Sequence, residues 1–93
     1  MDNLENKIIK QYSYDYRKDI TIIITALYDV NSNIIEFYGH VKGYATIIFL
    51  FGYDASVLNI HKDNFNNEIK NHAMLLAHEY YNDILDANGV YYE

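Results

Sequence analysis

The side chains that could do chemistry are few and scattered. Four histidines, His40, His61, His72 and His78, are joined by no cysteine, so thiolate ligands and cysteine nucleophiles are excluded. His72 and His78 stand six apart, which on a helix turns them to opposite sides and prevents them from sharing a metal ion. His78-Glu79 begins the H-E-x-x-H pattern of zinc proteases, but residue 82 is Asn and the second ligand is missing. Glu36, Tyr38 and His40 alternate, so on a strand they point the same way and supply the residue types of a general acid–base pair. Glu36 and His40 would then lie roughly 13 Å apart, too far for a direct hydrogen bond. The trio reads as the polar border of a half-exposed strand. Gly39, Gly43, Gly52 and Gly89 occur singly, so there is no glycine-rich phosphate loop and no nucleophile elbow. The expectation is a non-enzyme with no catalytic residue, metal or cofactor.

Ninety-three residues make one domain, and an apolar content of 51% is ample for a core. A net charge of −6 argues against direct nucleic-acid binding, which calls for clustered Lys and Arg. The charge is uneven: residues 1–52 hold six acids and five bases, whereas residues 53–93 hold seven acids against Lys62 and Lys70. The stretch Met1–Glu5 has neither the basic start nor the apolar core of a secretion signal. The longest apolar runs, Ile20–Leu27 and Tyr44–Phe51, are far short of the ~20 residues of a spanning helix. The expected location is the cytoplasm, without membrane association. The 11 tyrosines and the absence of proline match the codon bias of an AT-rich genome, so the tyrosines need no functional reading as a set.

Such residues are useful only where the backbone places them. Leu4, Ile8 and Ile9 could start a short helix, but Tyr12, Tyr14 and Tyr16 alternate with Ser13 and Asp15 and predict a strand over about 9–17. Asp19–Tyr28 is rich in Ile and Thr, whose branched β-carbons suit a second strand. Asn31-Ser32 marks a hairpin loop, Ile34–Val41 a third strand, Lys42-Gly43 a tight turn and Tyr44–Phe51 a fourth strand. From Asp63 the period changes. Ile69, Ala73, Leu76, Tyr80, Ile84 and Ala87 recur every three or four residues and predict one long helix. Asp63 is its expected N-cap, and Gly89 is its left-handed C′ residue, with Val90 packing back on Leu85. The fold class is α+β, a three- to four-stranded antiparallel meander followed by one C-terminal helix on one sheet face.

Two-residue turns pair Tyr28 with Ile35, Ala26 with Phe37, Val41 with Tyr44, Phe37 with Ile48 and Ile35 with Leu50. One face then carries Ile20, Ile22, Ile24, Ala26, Tyr28, Ile35, Phe37, Val41, Tyr44, Ile48 and Leu50, and should receive the helix. The other carries Ile23, Leu27, Tyr38, Ile47, Phe49 and Phe51 among polar groups. Burying each large apolar group is worth roughly 1.5–3 kcal/mol, so something should cover this face: the N-terminal segment, a second copy or another protein. A bulge near Lys42-Gly43 would exchange the faces of the fourth strand.

The helix adds Glu68, Glu79, Asp83 and Asp86 along a side next to its apolar stripe. Carboxylates repeated along a helix can imitate a nucleic-acid backbone and dock in a basic cleft of a partner protein. Small size, acidity and missing chemistry suit a phage-type inhibitor of a nucleic-acid-processing defence protein, such as a CRISPR effector. An immunity protein or antitoxin against a basic toxin would use the same physics, and a toxin gene beside its own would mark it. A small enzyme or ligand-binding domain would instead need a deep polar pocket.

Overall fold

The computed structural model describes residues 7–58, 60 and 64–90. Four strands, β1 (Lys7–Arg17), β2 (Ile20–Asp29), β3 (Ile34–Val41) and β4 (Ile48–Asp54), are followed by α1 (Phe65–Glu79) and α2 (Tyr81–Ala87). The strands form one antiparallel sheet in chain order. This is the expected α+β meander. Alternation explains it: Ile20, Ile22, Ile24 and Ala26 are buried while the residues between them are only half-buried. The core beneath the helices joins these to Ile35, Phe37, Val41, Leu50, Ile69, Ala73, Leu76, Ala77, Ile84 and Leu85. Tyr12, Tyr14 and Tyr16 of β1 pack on its margin.

The β2–β3 register matches the expectation, with Tyr28 opposite Ile35 and Ala26 opposite Phe37. Asn33 sets the hairpin loop. It takes the left-handed region at φ 59°, which Asn tolerates better than most residues. Its side chain accepts from the Tyr28 hydroxyl and donates to Ser56 Oγ at 3.0 Å and Asp54 Oδ1 at 3.3 Å. One amide thus ties the loop to the end of β4.

The β3–β4 connection departs from the expectation. Phe37 lies opposite Phe51, Ile35 opposite Tyr53 and Gly39 opposite Ile48; Phe37–Ile48, Ile35–Leu50 and Val41–Tyr44 are not pairs. The fourth strand is Ile48–Asp54, and Tyr44–Ile47 is irregular and exposed. The turn itself exists, with the Tyr44 N–H donating to the Val41 carbonyl at 2.9 Å. Gly43 has φ 89° and Lys42 does not have a positive φ, which is the type II arrangement. Two-residue hairpins need the mirror-image turns, because type II splays the strands apart. The chain therefore leaves the sheet after Val41 and re-enters it at Ile48. A bulge between Phe37 and Tyr38 then leaves Leu50 as the extra residue of β4.

The single long helix is also corrected: the chain bends at Tyr80 (φ −102°, ψ 16°) into two helices. A straight helix would set Leu85 about 160° around the axis from Ile69, yet both are fully buried. The bend reconciles them. It lays α1 over β1 and β2 and brings α2 onto β3, where Gly39 offers no side chain to block Ile84. Tyr81 reaches Tyr16, with ring centroids 4.7 Å apart. Asn64 is the N-cap of α1; Asp63 lies outside the described residues, as does the stretch containing Leu4. The C-terminus is as expected. Gly89 has φ 71°, its N–H donates to the Asp86 carbonyl at 3.1 Å, and that of Val90 donates to the Leu85 carbonyl at 2.9 Å.

Candidate functional site

The helices occupy one side of the sheet. The molecule measures 42 × 29 × 17 Å, and its shortest dimension accommodates one sheet and one helical layer. The other side carries Lys7, Ile9, Gln11, Ser13 and Asp15 from β1, then Thr21, Ile23, Thr25, Leu27 and Asp29 from β2. Ile34, Glu36, Tyr38 and His40 come from β3, and Phe49, Gly52 and Asp54 from β4. None of these side chains belongs to the core or its packed margin.

An apolar belt crosses this open face diagonally, with one residue from each strand. Ile9 lies opposite Leu27, Tyr38 lies opposite Phe49, and Leu27 and Tyr38 are diagonal neighbours on adjoining strands. Ile9 is 58% exposed and Phe49 56%. Phe49 is held from two sides. Its ring meets Tyr38 edge-on with centroids 5.5 Å apart, and it lies over Gly52, where a β-carbon would come within 3.0 Å of Phe49 Cζ. A side chain at 52 would displace the ring. The hairpin side of the belt is bordered by three carboxylates, Asp29, Glu36 and Asp54, against Lys7, while Asp15 lies at the far end of β1.

The polar groups around the belt are preorganised. The Tyr38 hydroxyl donates to Glu36 Oε1 at 3.0 Å. That hydrogen bond, with desolvation and the Glu36 charge, raises the Tyr38 pKa above its ordinary value. A raised phenol pKa moves away from neutrality, the wrong direction for proton transfer, so the pair is suited to recognition. Partial desolvation pushes the Asp29 carboxyl upward, but the Ser32 and Asn31 backbone N–H groups and Lys7 outweigh it and hold the pKa below its ordinary value. Lys7 Nζ lies 3.5 Å from Asp29 Oδ2. Thr21 donates to Asp15 Oδ1 at 2.7 Å, and Gln11 to Thr25 Oγ1 at 3.1 Å. A depression of about 180 Å³ opens at the hairpin end, lined by Lys7, Leu27, Asp29, Ser32, Ile34 and Glu36.

The sequence-predicted residues divide. Ile23, Leu27, Tyr38 and Phe49 share the open face. Ile47 is exposed but lies in the irregular stretch before β4, and Phe51 packs on the core margin instead of the open face. Tyr44, assigned to the helix-covered face, is 49% exposed. Of the helical acids, Glu79, Asp83 and Asp86 are exposed and Glu68 is half-buried. The bend at Tyr80 parts Glu68 and Glu79 from Asp83 and Asp86, so the four do not share one straight helix. His72 is half-buried: its Nδ1 lies 2.8 Å from the Glu68 carbonyl and its ring centroid 6.4 Å from that of Phe37. Among the described residues no group of three or more His, Asp or Glu could hold a metal ion.

Sequence reasoning placed Glu36 on this face but missed Ile9 and the acids Asp29 and Asp54. The signal was available, because Ile9, Gln11, Ser13 and Asp15 alternate with the tyrosines of β1 and must face the other way. No helix among the described residues is long and apolar enough to cross a membrane. Comparison with known protein families, curated proteins and solved structures finds no match.

Proposed function

We propose that this chain is a small non-enzymatic inhibitor that docks through its open sheet face onto a basic surface of a nucleic-acid-processing defence protein. The observation that carries the reading is the belt Ile9–Leu27–Tyr38–Phe49 with its carboxylate border. Apolar anchors supply affinity at an interface centre, and charged rims steer encounter and select partners. A partner that grips nucleic acid already presents Lys and Arg at such a rim. The exposed acids Glu79, Asp83 and Asp86 belong to the helical layer on the opposite side and add to the long-range field that draws a basic partner.

The test is a plasmid-interference assay in cells that co-express the chain with a panel of CRISPR effectors, followed by binding to the responsive effector. The reading requires protection of the targeted plasmid by the wild-type chain. Phe49→Ala should weaken binding by about 30-fold, as expected for a hot spot of roughly 2 kcal/mol. Reversing Glu79, Asp83 and Asp86 to Lys should slow association mainly at low salt. Failure to protect against any effector, or indifference of binding to Phe49→Ala, would remove the proposal.

A further inference from the structure

We infer that the outer edge of β1, which no strand among the described residues covers, pairs with the β1 edge of a second copy, in one defined register, to make a continuous eight-stranded sheet. The inference is independent of the proposed partner, because it uses the sheet edge and leaves the open face unoccupied.

Hydrogen-bond phase identifies the edge groups. The Lys42 N–H donates to the Thr21 carbonyl at 2.9 Å, and the β2–β3 register places Thr21 opposite Lys42. In antiparallel pairs the bonded positions alternate, so the odd-numbered residues of β2 bond toward β3 and the even-numbered ones toward β1. The far side of β3 has the matching phase, since the Ala55 N–H donates to the Asn33 carbonyl at 2.8 Å. Tyr28, Ala26, Ile24 and Ile22 therefore bond with Ile8, Lys10, Tyr12 and Tyr14. The peptide groups of Lys7, Ile9, Gln11, Ser13 and Asp15 point away from the sheet. β1 is an outer strand whose register with β2 is unbroken from Lys7 to Asp15. Such a row is a template for another strand.

Charge selects the occupant and its register. Two antiparallel copies related by a two-fold axis must set odd residues opposite odd residues to form the bonded pairs. With Gln11 opposite Gln11 of the second copy, Lys7 faces Asp15 twice, Ile8 faces Tyr14 twice and Lys10 faces Tyr12 twice. Opposite charges, an aliphatic–aromatic contact and a cation beside an aromatic ring are all favourable cross-strand pairs. The neighbouring registers are penalised: a slip of one pair in one direction sets Lys10 opposite Lys10, and in the other sets Asp15 opposite Ile9 and leaves Lys7 without a carboxylate across from it within the regular run Lys7–Asp15. The strand is thus complementary to itself at one alignment. The two-fold axis runs through the sheet, so both helical layers lie on one side and both open faces join on the other. A partner would meet two apolar belts at once.

The experiment exploits the absence of cysteine from the chain. Directly opposed bonded residues have α-carbons about 5.5 Å apart, within disulfide reach. Gln11→Cys should form a disulfide-linked dimer on mild oxidation, whereas Phe49→Cys on the open face should not. Light scattering on the wild-type chain should give twice the monomer mass, rising with concentration. Asp15→Lys, which sets Lys opposite Lys7, should weaken self-association at least tenfold, and adding Lys7→Glu should restore it. A wild-type chain that stays monomeric at high concentration overturns the inference. Ready cross-linking of Phe49→Cys with none for Gln11→Cys would do the same, placing the dimer on the open face. So would a monomeric Gln11→Cys that still takes up a foreign strand.

Discussion

Gly39→Ala probes the contact that seats α2 on the sheet. A β-carbon at Gly39 would lie 2.7 Å from Ile84 Cδ1, 3.1 Å from Ile84 Cγ1 and 3.2 Å from Leu50 Cδ1. Carbon atoms pack best at roughly 3.5–4.0 Å, so Ile84 must withdraw by close to an ångström or change rotamer. It has nowhere open to go, being fully buried beside Leu85. Overpacking of this kind costs about 1–3 kcal/mol, and the gain in exchanging glycine for alanine in a strand returns roughly 0.5–1 kcal/mol. The net loss should be about 1–2 kcal/mol, or roughly 5–15 °C in Tm for a domain of this size. Ile84→Val deletes the carbon in conflict and alone should cost about 0.5–1.5 kcal/mol. Combined with Gly39→Ala it should cost less than the sum of the two losses by about 1–2 kcal/mol, the coupling that a double-mutant cycle reads. Urea denaturation followed by circular dichroism on the four proteins measures every term. Additive losses, or a Gly39→Ala protein as stable as the parent, would refute the account of why α2 turns onto β3.

Two further outcomes follow from the loop and from β1. Asn33→Ala should lose about 2–3 kcal/mol in chemical denaturation, combining the left-handed backbone cost with the hydrogen bonds to Tyr28 and Ser56. Asn33→Gly should lose less by about 1 kcal/mol, since only the backbone cost is relieved; equal losses would show that φ is unstrained there. Burial raises the pKa values of Tyr12, Tyr14 and Tyr16 above 10.0, with neighbouring tyrosines adding for Tyr14 and Tyr16. Folding therefore favours the neutral phenols. That stability is complete below pH 10.0 and is lost as the pH climbs through the folded values. Thermal melts from about pH 8 upward should drop only in this alkaline window. Tyr14→Phe should blunt the drop and leave neutral-pH stability unchanged or higher, because the buried Tyr14 hydroxyl has no hydrogen-bond partner among the described residues.

Legibility differed between elements for reasons that can be named. The β2–β3 register could be read because Asn31-Ser32 sits between two long runs of opposite phase, and a slip of one residue would expose Ile22, Ile24 and Phe37. The helix end could be read because Asn88-Gly89-Val90 admits few geometries other than the one found. The β3–β4 turn was legible in position but not in type, although Lys42-Gly43 contained the clue. The hairpin turns require positive φ at the first central residue, which lysine resists, so glycine in second place selects type II. The bend at Tyr80 had a fainter signal. Ile84 and Leu85 are adjacent apolar residues, and one straight helix could not have buried both with Ile69.

The open face was legible in outline because Ile20–Leu27 is apolar throughout one phase and carries Ile23 and Leu27 in the other. Its composition was read incompletely: one edge depends on an event elsewhere, and the other on an alternation in β1 that was present in the sequence. Phe51 leaves the face through the β4 bulge, a three-dimensional accommodation with no local residue signature. Ile9 joins it through the pairing of β1 with β2, which is offset by a shift between Asp15 and Arg17 next to the turn. The consequence reaches function. With Phe51 assigned to this face and Ile9 omitted, the apolar groups form a cluster at the β3–β4 end, suited to a compact knob. With Ile9 included and Phe51 removed, they form a belt that starts at the β1 edge and runs to Phe49. In the Gln11–Gln11 register Ile9 faces Ser13 of the second copy, so the two belts lie on one continuous face with a polar strip between them, and partner size and oligomeric state become linked. A partner that spans the edge should then bind Asp15→Lys more weakly than Phe49 contacts alone can explain, in proportion to the loss of dimer. Titrating the inhibitor at concentrations above and below the dimer midpoint separates the two effects, and an affinity that ignores that midpoint would confine the docking surface to a single copy.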